Sequence, residues 1–197
     1  MSALRLLLPL ILSGLFVLPL SAFAAGRCER LIVTGSPDTP PYLWRDPQDP
    51  GHLIGANADL FKQAVHAIGL KVEVLYAGKR SQAMDEVHAG RMDMLIDAPL
   101  SLSELDSVDY VYPALIPGEL MTRIPSLDAA GQSAAPDKSG LFLALSFNSV
   151  CNDPWLRGQL AKKMTEFATS GLASDALQRN LERWKAHSSL PASVPNQ

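Results

Sequence analysis

Few side chains in these 197 residues stand where chemistry would need them. Tyr42 and Trp44 fall in the stretch Pro37 to Pro50, which holds five prolines. Aromatics on so stiff a loop either anchor a ligand or partner, or pack against the loop itself. Asp97-Ala98 follows the buried apolar run Met92–Ile96 and so sits at the carboxyl end of a strand, where open α/β sheets receive ligands. Asp97 is there either a pocket acceptor or the cap of the next turn. His52, His66, His88 and His187 are scattered without i, i+4 pairing, and neither cysteine has metal spacing, so no metal or cofactor is expected. No Ser-His-Asp motif and no Gly-rich phosphate loop occurs, and carboxylate pairs such as Asp85-Glu86 fall on an exposed helix face. The expectation is a non-catalytic protein.

The elements that must position these residues can be read in order. Arg30–Thr34 is a β-branched strand that stops at Gly35-Ser36-Pro37 and feeds the irregular proline loop. From Gly55, apolar residues Ala58, Leu60, Phe61, Ala64, Val65 and Ile68 recur at helical spacing until Gly69. Lys71–Tyr76 alternates as a strand, Ser81–Ala89 is a second helix, and Met92–Ile96 a third strand. Strand, helix, strand, helix, strand specifies a parallel sheet with right-handed crossovers, hence an α/β fold. Ser101–Glu104 suggests a helical turn, with Val108–Tyr112 and Glu119–Ile124 as further short strands. Residues 125–140 are rich in Ala, Gly, Ser, Pro and Asp and read as a flexible connector, after which Leu141–Phe147 resumes as a strand. Asp153-Pro154 opens a helix to about Ser170, and Ser174–Lys185 is a last amphipathic helix; Trp155 and Trp184, spaced with leucines, read as core.

Charge and targeting narrow the classes. With 17 basic and 20 acidic residues the net charge is −3, which implies no broad surface for nucleic acid. Residues 6–20 are almost wholly apolar behind Arg5, and Ala22-Phe23-Ala24 supplies a small-x-small cleavage pattern, so 1–24 reads as a signal peptide. The run is too short to span a bilayer, and no stable membrane insertion is expected after cleavage. The remaining 25–197 is then a soluble, periplasmic chain. There Cys28 and Cys151 either form a disulfide, worth on the order of 4 kcal/mol in the chain-entropy account, or remain two buried thiols; the oxidising compartment favours the disulfide.

Four motifs in register carry a resemblance. Pro40-Pro41-Tyr42, Gly55-Ala56-Asn57-Ala58-Asp59-Leu60, Ala89-Gly90-Arg91-Met92-Asp93-Met94 and Val108-Asp109-Tyr110 with Tyr112-Pro113, plus the tail Asp153–Trp184, resemble the extracellular solute-binding proteins of polar amino-acid ABC transporters. The resemblance implies one lobe of a type II periplasmic-binding fold, a mostly parallel sheet flanked by helices with a returning hinge strand and two C-terminal helices. That family has a second lobe between two hinge strands; here only 125–140 separates Glu119–Ile124 from Leu141–Phe147, so a single lobe with a connector in place of the second is expected. The family's carboxylate-binding arginine falls at Leu105, which cannot bind a carboxylate, and its second aromatic falls at Arg80. Arg80 is either a replacement cation or a solvated arginine beside Lys79. An absent lobe would leave a face lined by Tyr42, Trp44 and Arg80 uncovered. The first expectation is therefore an accessory or sensor protein acting through contacts on that face, with another periplasmic protein or a second copy as partner. The alternative is a substrate-binding component that carries an amino acid or another small polar ligand to an ABC permease.

Overall fold

The computed structural model describes residues 28–127, 132 and 139–188. The proposed signal peptide 1–24 and most of the stretch 128–138 lie outside them. Strands β1 (Arg30–Thr34), β5 (Lys71–Val74), β6 (Met94–Ala98), β7 (Val108–Ile116) and β8 (Leu141–Ser146) form one sheet in the order β5-β1-β6-β8-β7. β1 runs parallel to both β5 and β6, whereas β8 runs antiparallel to β6 and β7. The sheet is thus mainly parallel with one reversed strand, as the alternation of strands and helices requires.

Every residue of β6 and β8 is buried, and successive side chains face opposite sides of the sheet, so they divide between two apolar clusters. Leu31, Val33, Met94, Ile96, Leu143 and Leu145 meet the larger apolar cluster, together with side chains of α1 (Ala56–Ala67), α4 (Pro154–Ser170) and α5 (Leu172–Ser188). Leu95, Ala98 and Ala144 meet a smaller one with Ala83, Met84 and Val87 of α2 (Arg80–His88). A register shift between Leu95 and Ala98 turns Ala98 onto that smaller cluster. Helices therefore cover both faces, as a parallel sheet needs. α1 starts at Gly55, whose φ of 137° and position allow no side chain: a Cβ would stand 2.3 Å from the Tyr42 carbonyl oxygen. α4 is capped by Asp153, whose carboxylate accepts from the amides of Trp155 and Leu156.

Four expectations change. The proline loop is not wholly irregular but holds a small antiparallel sheet of β2 (Asp38–Thr39), β3 (Leu43–Arg45) and β4 (Leu53–Ile54). Val108–Tyr112 extends through Pro113 as one long strand to Ile116, and β7 itself, not Glu119–Ile124, is the partner of the returning strand, with Val111 opposite Leu143 and Ile116 opposite Leu141. Glu119–Ile124 is a short helix, α3 (Gly118–Arg123), because Leu120, Met121 and Ile124 share one face at helical spacing and Pro117 supplies the boundary. Trp155 is 55% exposed, since α4 buries Leu156, Leu160, Met164 and Phe167 and leaves its neighbour to the side. The disulfide reading holds: Cys28 and Cys151 are bonded across 123 residues.

Candidate functional site

The carboxyl ends of β1 and β6 meet beside the start of α2. The chain leaves β1 through Gly35-Ser36, β6 ends on Asp97-Ala98, and α2 opens with Arg80. Between them is a cavity of about 200 Å³ lined by Ser36, Thr39, Tyr42, Arg80, Asp97 and Met121. Asp97 packs closely on Gly35, where a Cβ would come within 2.6 Å of its Oδ1. The segment that follows β7 closes the opposite wall. Tyr42 donates its hydroxyl hydrogen to the Ile124 carbonyl, the Leu127 amide donates to the Pro40 carbonyl at 2.6 Å, and Met121 and Ser126 reach the cavity.

Asp97 is 3% exposed. Its Oδ2 accepts from the Ser36 amide at 2.7 Å, while Oδ1 has no hydrogen-bond partner. Burial pushes its carboxyl above the usual carboxylate range, against the opposing pull of Arg80 and Ser36. Arg80 supplies that pull from one nitrogen: Nη1 lies 3.3 Å from Oγ of Ser36 and 3.7 Å from Oδ1 of Asp97. Its Nη2 is buried without a hydrogen-bond partner and lies 3.9 Å from Oε1 of Glu104, on the 3₁₀ turn Leu102–Glu104. A buried donor and a buried acceptor thus stand side by side, each with capacity left over. That arrangement can take a small solute bearing both an acceptor and a donor.

Of the residues singled out by sequence, Arg80 and Asp97 come together in this cavity. Asp97 does not cap the following turn, and Arg80 is not a solvated neighbour of Lys79, because α2 aims it at the end of β6. Tyr42 lines the cavity but is fully buried, and burial pushes the pKa of its phenol far up. Trp44 is 3% exposed and packs edge-to-face on Trp184 at 5.7 Å, away from the cavity. Ala98 lies in the smaller core cluster, also away from it. Tyr42 and Trp44 therefore do not form an uncovered face. A larger concavity of about 420 Å³ runs between Trp44, Ile54 and the end of α5, but its polar side chains, among them Gln48, Arg183 and His187, are exposed and none is an orphaned buried group. Its size does not make it the better site.

No family model and no curated protein matches the chain. Solved structures do. A periplasmic His/Glu/Gln/Arg/opine family-binding protein from Silicibacter pomeroyi, in complex with lysine, is similar with a TM-score of 0.58 at 11% identity, over 77% of this chain and 96% of the other. An arginine-bound amino acid ABC transporter substrate-binding protein from Streptococcus pneumoniae gives 0.57 at 12% identity, over 78% and 94%. Substrate-binding domain 2 of Lactococcus lactis GlnP, in the open conformation, gives 0.57 at 12%, over 79% and 97%. The chain has the fold of these substrate-binding proteins.

Within this substrate-binding fold the sequence reading missed Ser36, Thr39, Met121, Ser126 and Glu104. Only Ser36 carried a signal, as part of the Gly35-Ser36-Pro37 stop at a strand end. Leu105 is exposed and outside the cavity lining. Among the described residues no group of three or more His, Cys, Asp and Glu could hold a metal ion, and no helix is long and apolar enough to cross a membrane.

Proposed function

We propose that this protein binds a small polar solute in the Arg80–Asp97 cavity and serves as the substrate-binding component of an ABC transporter, with a permease as its partner. The observation that carries the reading is that Asp97 and Arg80 line one cavity while Oδ1 of Asp97 and Nη2 of Arg80 are buried without a hydrogen bond, held only by ion pairs at 3.7 and 3.9 Å. Leaving such groups unpaired costs on the order of 1–3 kcal/mol each. A solute that accepts from Arg80 and donates to Asp97 removes that cost. An amino acid has both groups on one carbon and suits the cavity's size, in line with the arginine and lysine held by the similar structures.

In this reading residues 1–24 direct export to the periplasm and 25–197 is a single lobe. The connector 125–140 stands in place of a second lobe, and its first residues, with α3, supply the wall that a second lobe would otherwise give. Protein contacts on a face of Tyr42, Trp44 and Arg80 have less support, because the two aromatics are buried.

The test is a thermal-shift screen of the exported chain against amino acids, amines and small carboxylates. A ligand at a hundred times its Kd stabilises the folded state by about 2.7 kcal/mol, so binding gives a saturable rise in midpoint. Arg80→Ala and Asp97→Asn should each abolish the rise. Unchanged affinity in both variants would remove the cavity from consideration.

A further inference from the structure

Glu104 is not part of the cavity lining, yet it stands beside Arg80, the one cation among the described lining residues. Its Oε1 stands 3.9 Å from Nη2 of Arg80, too far for a hydrogen bond but close enough to act through charge. Its other oxygen is pinned: the Tyr110 hydroxyl donates to Oε2 at 2.9 Å, lies 3.1 Å from the Pro99 carbonyl and accepts from the Ser101 amide at 3.3 Å. Burial, then the Glu104 contact, pushes the Tyr110 phenol up to about 12, which keeps its proton in place near neutral pH. Arg80 is therefore flanked by two carboxylates from separate elements, Asp97 on β6 and Glu104 on the 3₁₀ turn. Among the described residues one cation thus stands between two carboxylates, and its Nη2 makes no hydrogen bond.

We infer that Glu104 is the charge selector of the cavity, admitting solutes that are zwitterionic or cationic and turning away small monoanions. The inference rests on the reading that the cavity binds a solute. An acceptor atom on the solute can take the free hydrogen of Arg80. A solute with no positive group of its own meets repulsion from Asp97 and Glu104 that the single charge of Arg80 offsets only in part. In a partly buried site, where the effective dielectric is far below that of water, one such repulsion at about 4 Å is enough to separate affinities by tenfold or more.

Alanine, lactate and alaninol share one carbon skeleton and are zwitterionic, anionic and cationic near neutral pH. Ligand-observed NMR titrations of the exported chain with these three probes should give lactate at least about tenfold weaker binding than alanine. Glu104→Gln keeps an acceptor for Tyr110 and removes the charge. It should narrow the gap to about threefold or less by strengthening lactate. Tyr110→Phe, which keeps the charge, should preserve the order. A gap as wide in Glu104→Gln as in the unaltered protein overturns the selector, as does lactate binding best to the unaltered protein, a result that needs no variant to fold. Binding of none of the probes, nor of any compound in the wider screen, would instead bring down the solute-binding reading and the selector with it.

Discussion

Strand β6 is bounded by two buried aspartates whose surroundings differ. Asp93, just before the strand, has both oxygens engaged: Oδ2 accepts from the Ile32 amide at 2.7 Å and Oδ1 from the Ser149 hydroxyl at 2.6 Å. The same Ser149 oxygen accepts from the Cys151 amide at 2.9 Å, and Cys151 is bonded to Cys28. Asp97, four residues on, has one oxygen paired to the Ser36 amide and the other buried without a hydrogen bond. Two acids of one type near the two ends of one strand thus differ, one with both oxygens engaged and the other with one oxygen that makes no hydrogen bond. Satisfaction of the buried oxygens, rather than burial itself, separates structure from site.

The largest effect should come from the locked end. Removing the disulfide with Cys28→Ser and Cys151→Ser frees a loop of 123 residues in the unfolded chain, about 5 kcal/mol in the chain-entropy account. Urea unfolding of the double variant should show a loss of several kcal/mol. A loss below about 1 kcal/mol would mean that the Asp93–Ser149 network alone holds that end.

The same substitution at the two acids sharpens the contrast. Asp93→Asn replaces one oxygen by an NH₂ group that faces a donor, and should cost about 2 kcal/mol. Asp97→Asn keeps an acceptor for Ser36 and deletes a buried charge, so its stability near pH 7 should lie within about 1 kcal/mol of the unaltered protein or above it. The pH dependence has a definite sign. Burial raises the folded-state pKa of Asp97 above its unfolded value of about 3.9, so the folded state binds more protons in the interval between them. Asp97 therefore imposes a stability cost that is absent below the unfolded value and grows as pH rises through the folded one. Melting curves across mildly acidic pH should fall more steeply with rising pH for the unaltered protein than for Asp97→Asn. Parallel curves would mean that Arg80 and Ser36 offset the burial.

Much of the scaffold was legible in sequence and little of the site was. The bounds of β1 and α4 followed from local signals, a β-branched run ended by Gly35-Ser36-Pro37 and the Asp153-Pro154 cap. The small sheet escaped because two- and three-residue strands have no period to detect, and α3 because its six residues are too few to show a helical period. The pocket failed for a different reason. Arg80 looked solvated beside Lys79 because its partners, Ser36, Asp97 and Glu104, come from three other parts of the chain. Tyr42 and Trp44 carry the same letters whether an aromatic faces solvent or core, and only the packing of β3 against its surroundings decides it.

The smallest expected effect concerns the wall of the open end. Tyr42→Phe keeps the buried ring and removes the hydroxyl that holds the Ile124 carbonyl, with the usual net worth of such a bond, about 1 kcal/mol. The loss should be local. The Leu127 amide, whose bond to the Pro40 carbonyl pins the next residues of that wall, should exchange its hydrogen faster, while amides of β1 and β6 keep their protection. If the solute sits behind this wall, its dissociation should quicken and the association rate should change little, since most affinity changes within one site appear in the off-rate. Unchanged exchange at Leu127 would show that Tyr42 merely fills the core. Faster exchange confined to that segment would show that the wall of the Asp97 end can open while the Asp93 end stays locked.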